Sequence, residues 1–306
     1  MVKSNGGGSE SESSGFGVEG LSIVIPAYNE ENGIGPVLEE LRGELDALEL
    51  TIPLEVIIVN DGSSDGTSAA IAPHVGDLFK LVEHPVNKGY GASLKTGIRA
   101  AEHPWILITD ADGTYPNVHI PDVLAHREMH DMVVGARIGD NTNIPLIRRP
   151  PKWVLRKLAS VLSQQNIPDL NSGFRLMRKS VVEPFFNILP NGFSFTTTIT
   201  LAMFSTGHAV KYVPIDYLKR EGKSKIRPIA DTINFLKLII RTIMYFDPLR
   251  IFLPVTVALA LASVAVGVGS FYAGRLMDVT TVLLAMTSIQ VLAIGMLADM
   301  LNRRIS

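Results

Sequence analysis

Trp105-Ile106-Leu107-Ile108-Thr109-Asp110-Ala111-Asp112-Gly113 passes from an apolar run directly into two carboxylates. A short continuous apolar run that ends in turn residues reads as a strand buried on both faces, here Trp105–Asp110, as parallel sheets require. The same design stands upstream, where Leu21–Pro26 precedes Tyr28-Asn29-Glu30 and Leu54–Asn60 precedes Asp61-Gly62-Ser63. Leu78–Glu83 and Asp131–Gly135 read as further strands. Between them lie helical stretches at Glu30–Leu48, Ser64–Ala72 and Tyr90–Ala101, the first with Ile34, Val37, Leu38, Leu41 and Leu45 on one face. Strand and helix in alternation predict an α/β domain with a mostly parallel sheet. In such sheets ligands bind outside the carboxyl ends of the strands, which is where the polar clusters fall.

The 306 residues allow about two structural units. With 46% hydrophobic and 19% charged residues the chain is not a disordered one. A net charge of −2 gives no basic field, so nucleic acid is not an expected partner. The absence of cysteine excludes disulfides, Cys-ligated zinc, iron–sulfur clusters and thiol nucleophiles. Met1–Gly20 is rich in Gly, Ser and Glu and reads as a flexible tail, with no apolar run there of the kind a cleaved signal carries.

The far end of the chain has a different character. Ile229–Phe246 places Ile229, Ile233, Leu236, Ile240 and Ile243 at helical spacing, interrupted by Lys237 and Arg241, and fits a helix lying at a membrane surface. Ile251–Gly274 and Val279–Ala298 are free of charge and long enough to cross a ~30 Å hydrocarbon core. Arg275–Asp278 is the tip of the resulting hairpin. Arg241, Arg250, Arg303 and Arg304 flank it and put the remaining domain and both termini in the cytoplasm. Pro254 is expected near the start of the first span, where a missing N–H is tolerated. Ala258/Ala262 and Ala265/Gly269 suit close helix packing and make a homo-oligomer an expectation. The predicted organisation is a tail at 1–20, a catalytic domain at 21–228, an interfacial helix at 229–248 and a membrane hairpin at 249–306.

Asp110 and Asp112, at i and i+2 beyond a strand, suit a hard divalent cation such as Mg²⁺ or Mn²⁺ that keeps waters and substrate phosphates. The segments Pro26–Glu30, Asn60–Thr67 and Asn87–Gly91 precede them in order. Together they resemble the nucleotide-sugar-binding half of inverting glycosyltransferases of family 2, which have the GT-A fold. Ile108–Pro116, Val133–Arg137, Asn171–Arg175 and Arg220–Lys225 are similar to the polyprenyl-phosphate branch of that family, the relatives of dolichol-phosphate mannose synthase. The resemblance covers Leu21 to the end of the chain.

That resemblance implies a donor nucleoside-diphosphate sugar and an acceptor polyprenyl phosphate, undecaprenyl or dolichyl, at the bilayer. It implies that Pro26, Tyr28 and Glu30 line the nucleotide pocket and that Asp61 bonds the base. Lys88 and Asp110 would sit near the ribose, and Asp112 would hold the metal against the diphosphate. Arg137, Arg148, Arg149 and Arg175 would meet the lipid phosphate, and Arg220, Lys223 and Lys225 would close over the diphosphate. Arginine suits bidentate phosphate contacts and lysine acts as a point charge.

The chain lacks the acidic Thr-Glu-Asp-like and Gln-x-x-Arg-Trp motifs of relatives that glycosylate hydroxyls, and reads Phe193-Ser194-Phe195-Thr196-Thr197-Thr198 instead. Gly113-Thr114-Tyr115 follows Asp112 where a further Gln ligand is frequent. Asp169 is the carboxylate to watch as a base. Arg137, Arg148, Arg149, Lys152 and Arg175 outnumber what a lipid phosphate and a diphosphate need, so a UDP-hexuronate stands beside UDP-hexose and GDP-mannose as a donor. Two other readings stay open: a membrane-bound metal-dependent nucleotidyltransferase, and a non-catalytic nucleotide-sugar-binding subunit.

Overall fold

Strand β1 (Leu21–Ala27) pairs in parallel with β2 (Leu54–Asn60) on one side and with β4 (Trp105–Ile108) on the other. β3 (Phe79–Glu83) extends the sheet beyond β2. β5 (Met132–Ala136), β6 (Arg175–Arg178) and β7 (Val210–Pro214) complete seven strands in the order 3-2-1-4-6-5-7. The computed structural model describes residues 19–48, 52–138, 157, 159–160, 164–218, 228–274 and 279–302.

The sheet is mostly parallel, as expected, with β6 running against both β4 and β5. Neither β6 nor β7 is visible in the sequence pattern. β6 is only four residues long and begins at an arginine, and β7 is a half-exposed edge strand without an apolar run. The antiparallel insertion matters for the site. It starts at the crevice end of the sheet, with Arg175 paired to Ile108 of β4 and to Val134 of β5.

Side-chain alternation sends the two faces of β1 into two cores. Ile23 and Ile25 pack with Ile34, Leu38 and Leu41 of α1 (Ile34–Ala47), and Val24 packs with Leu94 and Ile98 of α3 (Tyr90–Ala100). All are fully buried, and each such side chain stabilises the fold by ~1.5–3 kcal/mol. Short helices α2 (Thr67–Ile71), α4 (Ile120–Leu124) and α5 (Lys179–Val182) fill the connections, and α6 (Phe195–Ser205) adds Phe195, Ile199 and Met203 to the second core. α2 is shorter than the sequence suggests: Asp65 accepts from the Thr67 N–H and hydroxyl in the turn before the helix, and Ser64 lies in that turn. At the opposite end of the sheet Glu19 accepts from the Trp105 indole N–H at 2.6 Å and from Arg178 at 3.2 Å. Packing therefore reaches back to Glu19, which the sequence pattern assigns to the tail.

α7 (Pro228–Phe246) is tied to the domain through Ile239 and Ile243, which pack with Leu201 of α6 and with Ile167 and Leu170. The sequence reading turns Ile243 toward a membrane; the structure buries it against α6. Leu236, Met244 and Tyr245 remain on the exposed side. α8 (Leu249–Tyr272) and α9 (Val279–Asn302) are each 24 residues, about 36 Å at 1.5 Å per residue, and could cross a membrane by length and composition. α8 begins two residues earlier than expected, at Pro248-Leu249, so Pro254 falls in its second turn and removes an intrahelical hydrogen bond. The two helices pack through small and hydroxylated residues. Ser263 Oγ donates to the Thr281 carbonyl at 2.8 Å and Ser288 Oγ to the Thr256 carbonyl at 3.0 Å. Ala258, Ala262, Ala265 and Gly269 point outward and take no part in that contact.

Candidate active site

The carboxyl ends of β1, β2, β4 and β5 share one edge of the sheet, and the loops that leave them interlock. After β1, Asn29 adopts a left-handed backbone with φ 54°. Its N–H donates to Ser63 Oγ (3.0 Å), and its side-chain oxygen accepts from the Ser64 N–H (2.9 Å). The Glu30 N–H donates to Thr67 Oγ1, and Glu31 accepts from the Gly66 N–H. This clasp holds Pro26, Tyr28 and Glu30 beside the turn that follows β2, with Tyr28 exposed. Gly62 closes that turn at φ 66°, where a Cβ would come within 2.5 Å of the Val86 backbone.

Asp61 lies beneath the adjoining loop. Its Oδ1 accepts from His84 Nδ1 at 2.6 Å and from the Lys88 N–H at 2.9 Å, and its Oδ2 accepts from the Gly89 N–H at 2.8 Å. Burial pushes its carboxyl up, but the donated hydrogen bonds outweigh this and hold it below the ordinary range. The expectation was a contact from Asp61 to a nucleotide base. In the structure the carboxylate is buried and spends its oxygens positioning the loop that carries Lys88, whose side chain is exposed.

Asp110 and Asp112 leave the end of β4 together. Tyr90, at the start of α3, donates its hydroxyl to Asp110 Oδ1 at 3.0 Å. Burial, and then the Asp110 charge, push the Tyr90 phenol well up, so it remains a donor. Thr114 donates its N–H (3.2 Å) and hydroxyl (2.7 Å) to Asp112 Oδ1, which fixes the turn. Gly173 sits directly against Asp110, where a Cβ would stand 2.8 Å from Oδ2. Its own N–H donates to the Tyr115 hydroxyl at 2.8 Å. Two carboxylates with a side-chain-free approach beside them form an all-oxygen donor set suited to a hard divalent cation. Among the described residues no cluster of three His, Asp or Glu surrounds them.

At the end of β5, Arg137 is engaged twice by Asp169, Nε to Oδ2 at 2.6 Å and Nη2 to Oδ1 at 2.8 Å. Its own N–H also reaches Oδ2 at 3.2 Å, and its guanidinium lies 5.1 Å from the Tyr217 ring centroid. Burial raises the Asp169 carboxyl, and the facing Arg137 charge overrides this and holds it at about 2. A carboxylate so acidic is a poor proton acceptor at neutral pH. Asp169 acts here as the partner that orients Arg137.

Arg175 corrects the sequence reading. It is fully buried, and its guanidinium donates to the Ser172 carbonyl (2.6 Å), the Leu170 carbonyl (3.0 Å) and Thr200 Oγ1 (2.6 Å). A group sealed in this way cannot meet a lipid phosphate; it staples the loop that presents Gly173 to Asp110. The register of β6 is the cause, because it turns the first residue of that strand inward. Arg148, Arg149, Lys152, Arg220, Lys223 and Lys225 lie outside the described residues. Of the five cations behind the hexuronate expectation, Arg175 is sealed in the core and Arg137 is ion-paired with Asp169, while Arg148, Arg149 and Lys152 lie outside the described residues.

A model of glycosyl transferase family 2 matches residues 22–186, and a model of the GtrB C-terminal hairpin matches residues 247–303. The chain belongs to glycosyl transferase family 2. It is thus a glycosyltransferase, which sets aside the nucleotidyltransferase reading. It is 31% identical over 212 residues to a dolichyl-phosphate hexose transferase of Haloferax volcanii, covering 69% of this chain and 88% of that one. It is 24% identical over 302 residues to a dodecaprenyl-phosphate galacturonate synthase of Rhizobium johnstonii, with 92% and 88% covered. Among solved structures, glucosyl-3-phosphoglycerate synthase of Mycobacterium tuberculosis with Mn²⁺, UDP and phosphoglyceric acid superposes with a TM-score of 0.58 at 18% identity. The match covers 74% of this chain and 78% of that one, and it establishes a shared GT-A fold.

The structure also places groups to which the sequence reading gave no individual role. His84 bridges Asp61 and Thr96 Oγ1, the latter at 3.0 Å, and Tyr90 and Gly173 flank Asp110. Tyr90 and Gly173 lie within the Asn87–Gly91 and Asn171–Arg175 segments, whereas the one signal for His84 is its position directly after β3.

Proposed function

We propose that the chain transfers a single sugar from a nucleoside-diphosphate sugar to the phosphate of a polyprenyl carrier, with inversion, at the cytoplasmic face of a membrane. The observation that carries this reading is the pair Asp110 and Asp112 in a family 2 domain joined to a matched hairpin. The dolichyl- and dodecaprenyl-phosphate enzymes among its relatives support the acceptor. The proposed organisation is a catalytic domain over 21–228, an interfacial helix over 229–248 and a hairpin over 249–306, which hold the site at headgroup depth.

In this reading Asp110 and Asp112 hold a divalent cation, Mg²⁺ or Mn²⁺, which when bound neutralises charge on the diphosphate. Pro26, Tyr28 and Glu30, together with Lys88 on the loop that Asp61 fixes, surround the nucleotide. Arg137, pre-oriented by Asp169, faces the acceptor phosphate together with Arg148 and Arg149, while Arg220, Lys223 and Lys225 cover the diphosphate. A phosphate monoester has its second pKa near 6 and is anionic at neutral pH, so its oxygen attacks the anomeric carbon without a general base. The bond to the donor diphosphate oxygen breaks, and its electron pair leaves with the nucleoside diphosphate. No covalent enzyme intermediate forms. The acidity of Asp169 supports this base-free route.

A donor screen tests the reading, with the full chain in detergent, polyprenyl phosphate as acceptor and UDP-hexose, UDP-hexuronate and GDP-mannose as donors. The expected result is a glycosylated lipid and a released nucleoside diphosphate, lost in EDTA and restored by Mn²⁺ or Mg²⁺. Undiminished turnover in EDTA removes the metal assignment. Glycosylation of hydroxyl acceptors with none on the lipid phosphate overturns the function. Turnover with neutral sugars alone ends the hexuronate reading.

A further inference from the structure

His84 is a buried titratable side chain for which sugar transfer has no direct use. Its backbone and that of Asp61 carry the sheet one residue past its crevice edge. The His84 N–H donates to the Asn60 carbonyl at 2.9 Å, and the Asp61 N–H donates to the Ala27 carbonyl at 2.8 Å. The two side chains rooted in this way meet at 2.6 Å, His84 Nδ1 to Asp61 Oδ1. An ionised carboxylate only accepts, so Nδ1 carries a proton. Nε2 lies 3.0 Å from Thr96 Oγ1 on α3, and the ring is therefore held at both ends. Taking a His and a carboxylate out of water costs about as much as their attraction returns, so stability alone does not account for the pair.

The pair bears on the loop between β3 and α3. Asp61 Oδ1 also accepts from the Lys88 N–H at 2.9 Å, and Oδ2 accepts from the Gly89 N–H at 2.8 Å. With His84 on the same carboxylate, Asp61 cannot rotate without breaking one of these bonds. Gly89 has φ 99°, and a Cβ there would stand 2.5 Å from the Asn191 carbonyl oxygen, so the loop has no slack on that side. Its carbonyl accepts from the Ala92 and Ser93 N–H groups and so starts α3. Two groups leave this loop. Lys88 is exposed, and Tyr90 donates its hydroxyl to Asp110 Oδ1 at 3.0 Å. One hydrogen-bonded path thus runs from Thr96 through His84 and Asp61 to the loop N–H groups, and from Tyr90 to Asp110.

We propose that His84 is a positioning residue for both halves of the donor site. By fixing Asp61 it sets Lys88 for the nucleotide and Tyr90 for the carboxylate that would hold the metal. The inference rests on the nucleotide-sugar reading of the crevice and is independent of the lipid acceptor.

The full chain in detergent is titrated calorimetrically with UDP and, separately, with GDP, in saturating Mn²⁺. His84→Leu should weaken nucleotide binding about 10-fold, with the number of sites per chain unchanged. The Mn²⁺ concentration that supports half of that binding should rise with it. His84→Asn keeps an N–H donor toward Asp61 and should restore affinity to within about 3-fold of the unaltered chain. Thr96→Val, which releases only the far end of the ring, should weaken binding about 3-fold. A purely structural role would lower the fraction of competent sites and leave the affinity of the rest intact; that result overturns the proposal, as does His84→Asn binding no better than His84→Leu. If His84→Leu does not fold, unchanged affinity in Thr96→Val overturns it. An unaltered chain that binds neither UDP nor GDP overturns the nucleotide reading and this inference with it, whereas nucleotide binding undiminished in folded His84→Leu overturns this inference alone.

Discussion

The domain built on the sheet and the hairpin that follows it use the same residue types in opposite senses. In the domain, Ile23, Leu38 and Trp105 are buried while loops carry the polar groups outward. In the hairpin, Leu253, Val264 and Ile289 are exposed, whereas Thr256, Ser263 and Ser288 are inside. A hairpin that spans a membrane, as its length and composition allow, accounts for the difference, because burial then follows the surrounding medium. Water drives apolar side chains together. Lipid gives them no such drive, and leaves hydrogen bonds and close packing to hold helices.

If that contrast holds, chemistry belongs wholly to the water-facing part. Asp112→Ala should lower sugar transfer by roughly 10³-fold, the scale of losing a group that stabilises transition-state charge, with carbonate-resistant membrane retention unchanged. A variant that keeps its rate and loses the membrane would break the comparison. The contrast is sharpened next by a pair of truncations followed by thermal unfolding. Leu38→Ala, in the domain core, should destabilise by about 2–5 kcal/mol. Val264→Ala, on the exposed side of α8, should leave the midpoint nearly in place, because it removes no buried apolar contact.

Gly173→Ala separates positioning from stability inside the domain. Its new Cβ would stand 2.8 Å from Asp110 Oδ2 and displace that carboxylate. We expect a loss of roughly 10- to 100-fold in kcat, with a rise in the metal concentration needed for half activity, because misplacing a reacting group costs on this scale. An unchanged metal requirement would detach Asp110 from the cation.

The smallest effect is an acid one. The folded Asp169 carboxyl titrates at about 2, below its usual 3.8, so the unfolded chain binds the proton more readily. Its contribution of about 2 kcal/mol is therefore complete above pH 4 to 5 and fades as pH falls toward 2. Denaturant titrations between pH 6 and 3 should show a shallower loss in Asp169→Asn than in the unaltered chain. Equal slopes would mean that Arg137 does not depress this group.

Much of this was legible beforehand where one local rule governs. The apolar runs of β1, β2 and β4, the carboxylates after them and the charge-free helices each declare themselves over a few residues. β6 was not legible, because its strand character comes from being inserted between β4 and β5. The fate of Arg175 was hidden for the same reason: an arginine in a polar motif reads as a surface cation until register turns it inward. The partnership of Arg137 with Asp169 joins positions 32 residues apart, and no spacing rule announces it.

By itself the sequence determined the α/β alternation, the strand-end position of Asp61, Asp110 and Asp112, and the presence of two helices long enough to span a bilayer. These follow from periodicity, composition and length, which are properties of neighbours along the chain. Tertiary structure alone decided which charged groups face the crevice and which are consumed in building it. Asp61 went to the loop beneath Lys88, Arg175 to the carbonyls of residues 170 and 172, and Asp169 to Arg137. The physical reason is that a buried charge must find its partners wherever the fold brings them, and those partners lie far away in sequence.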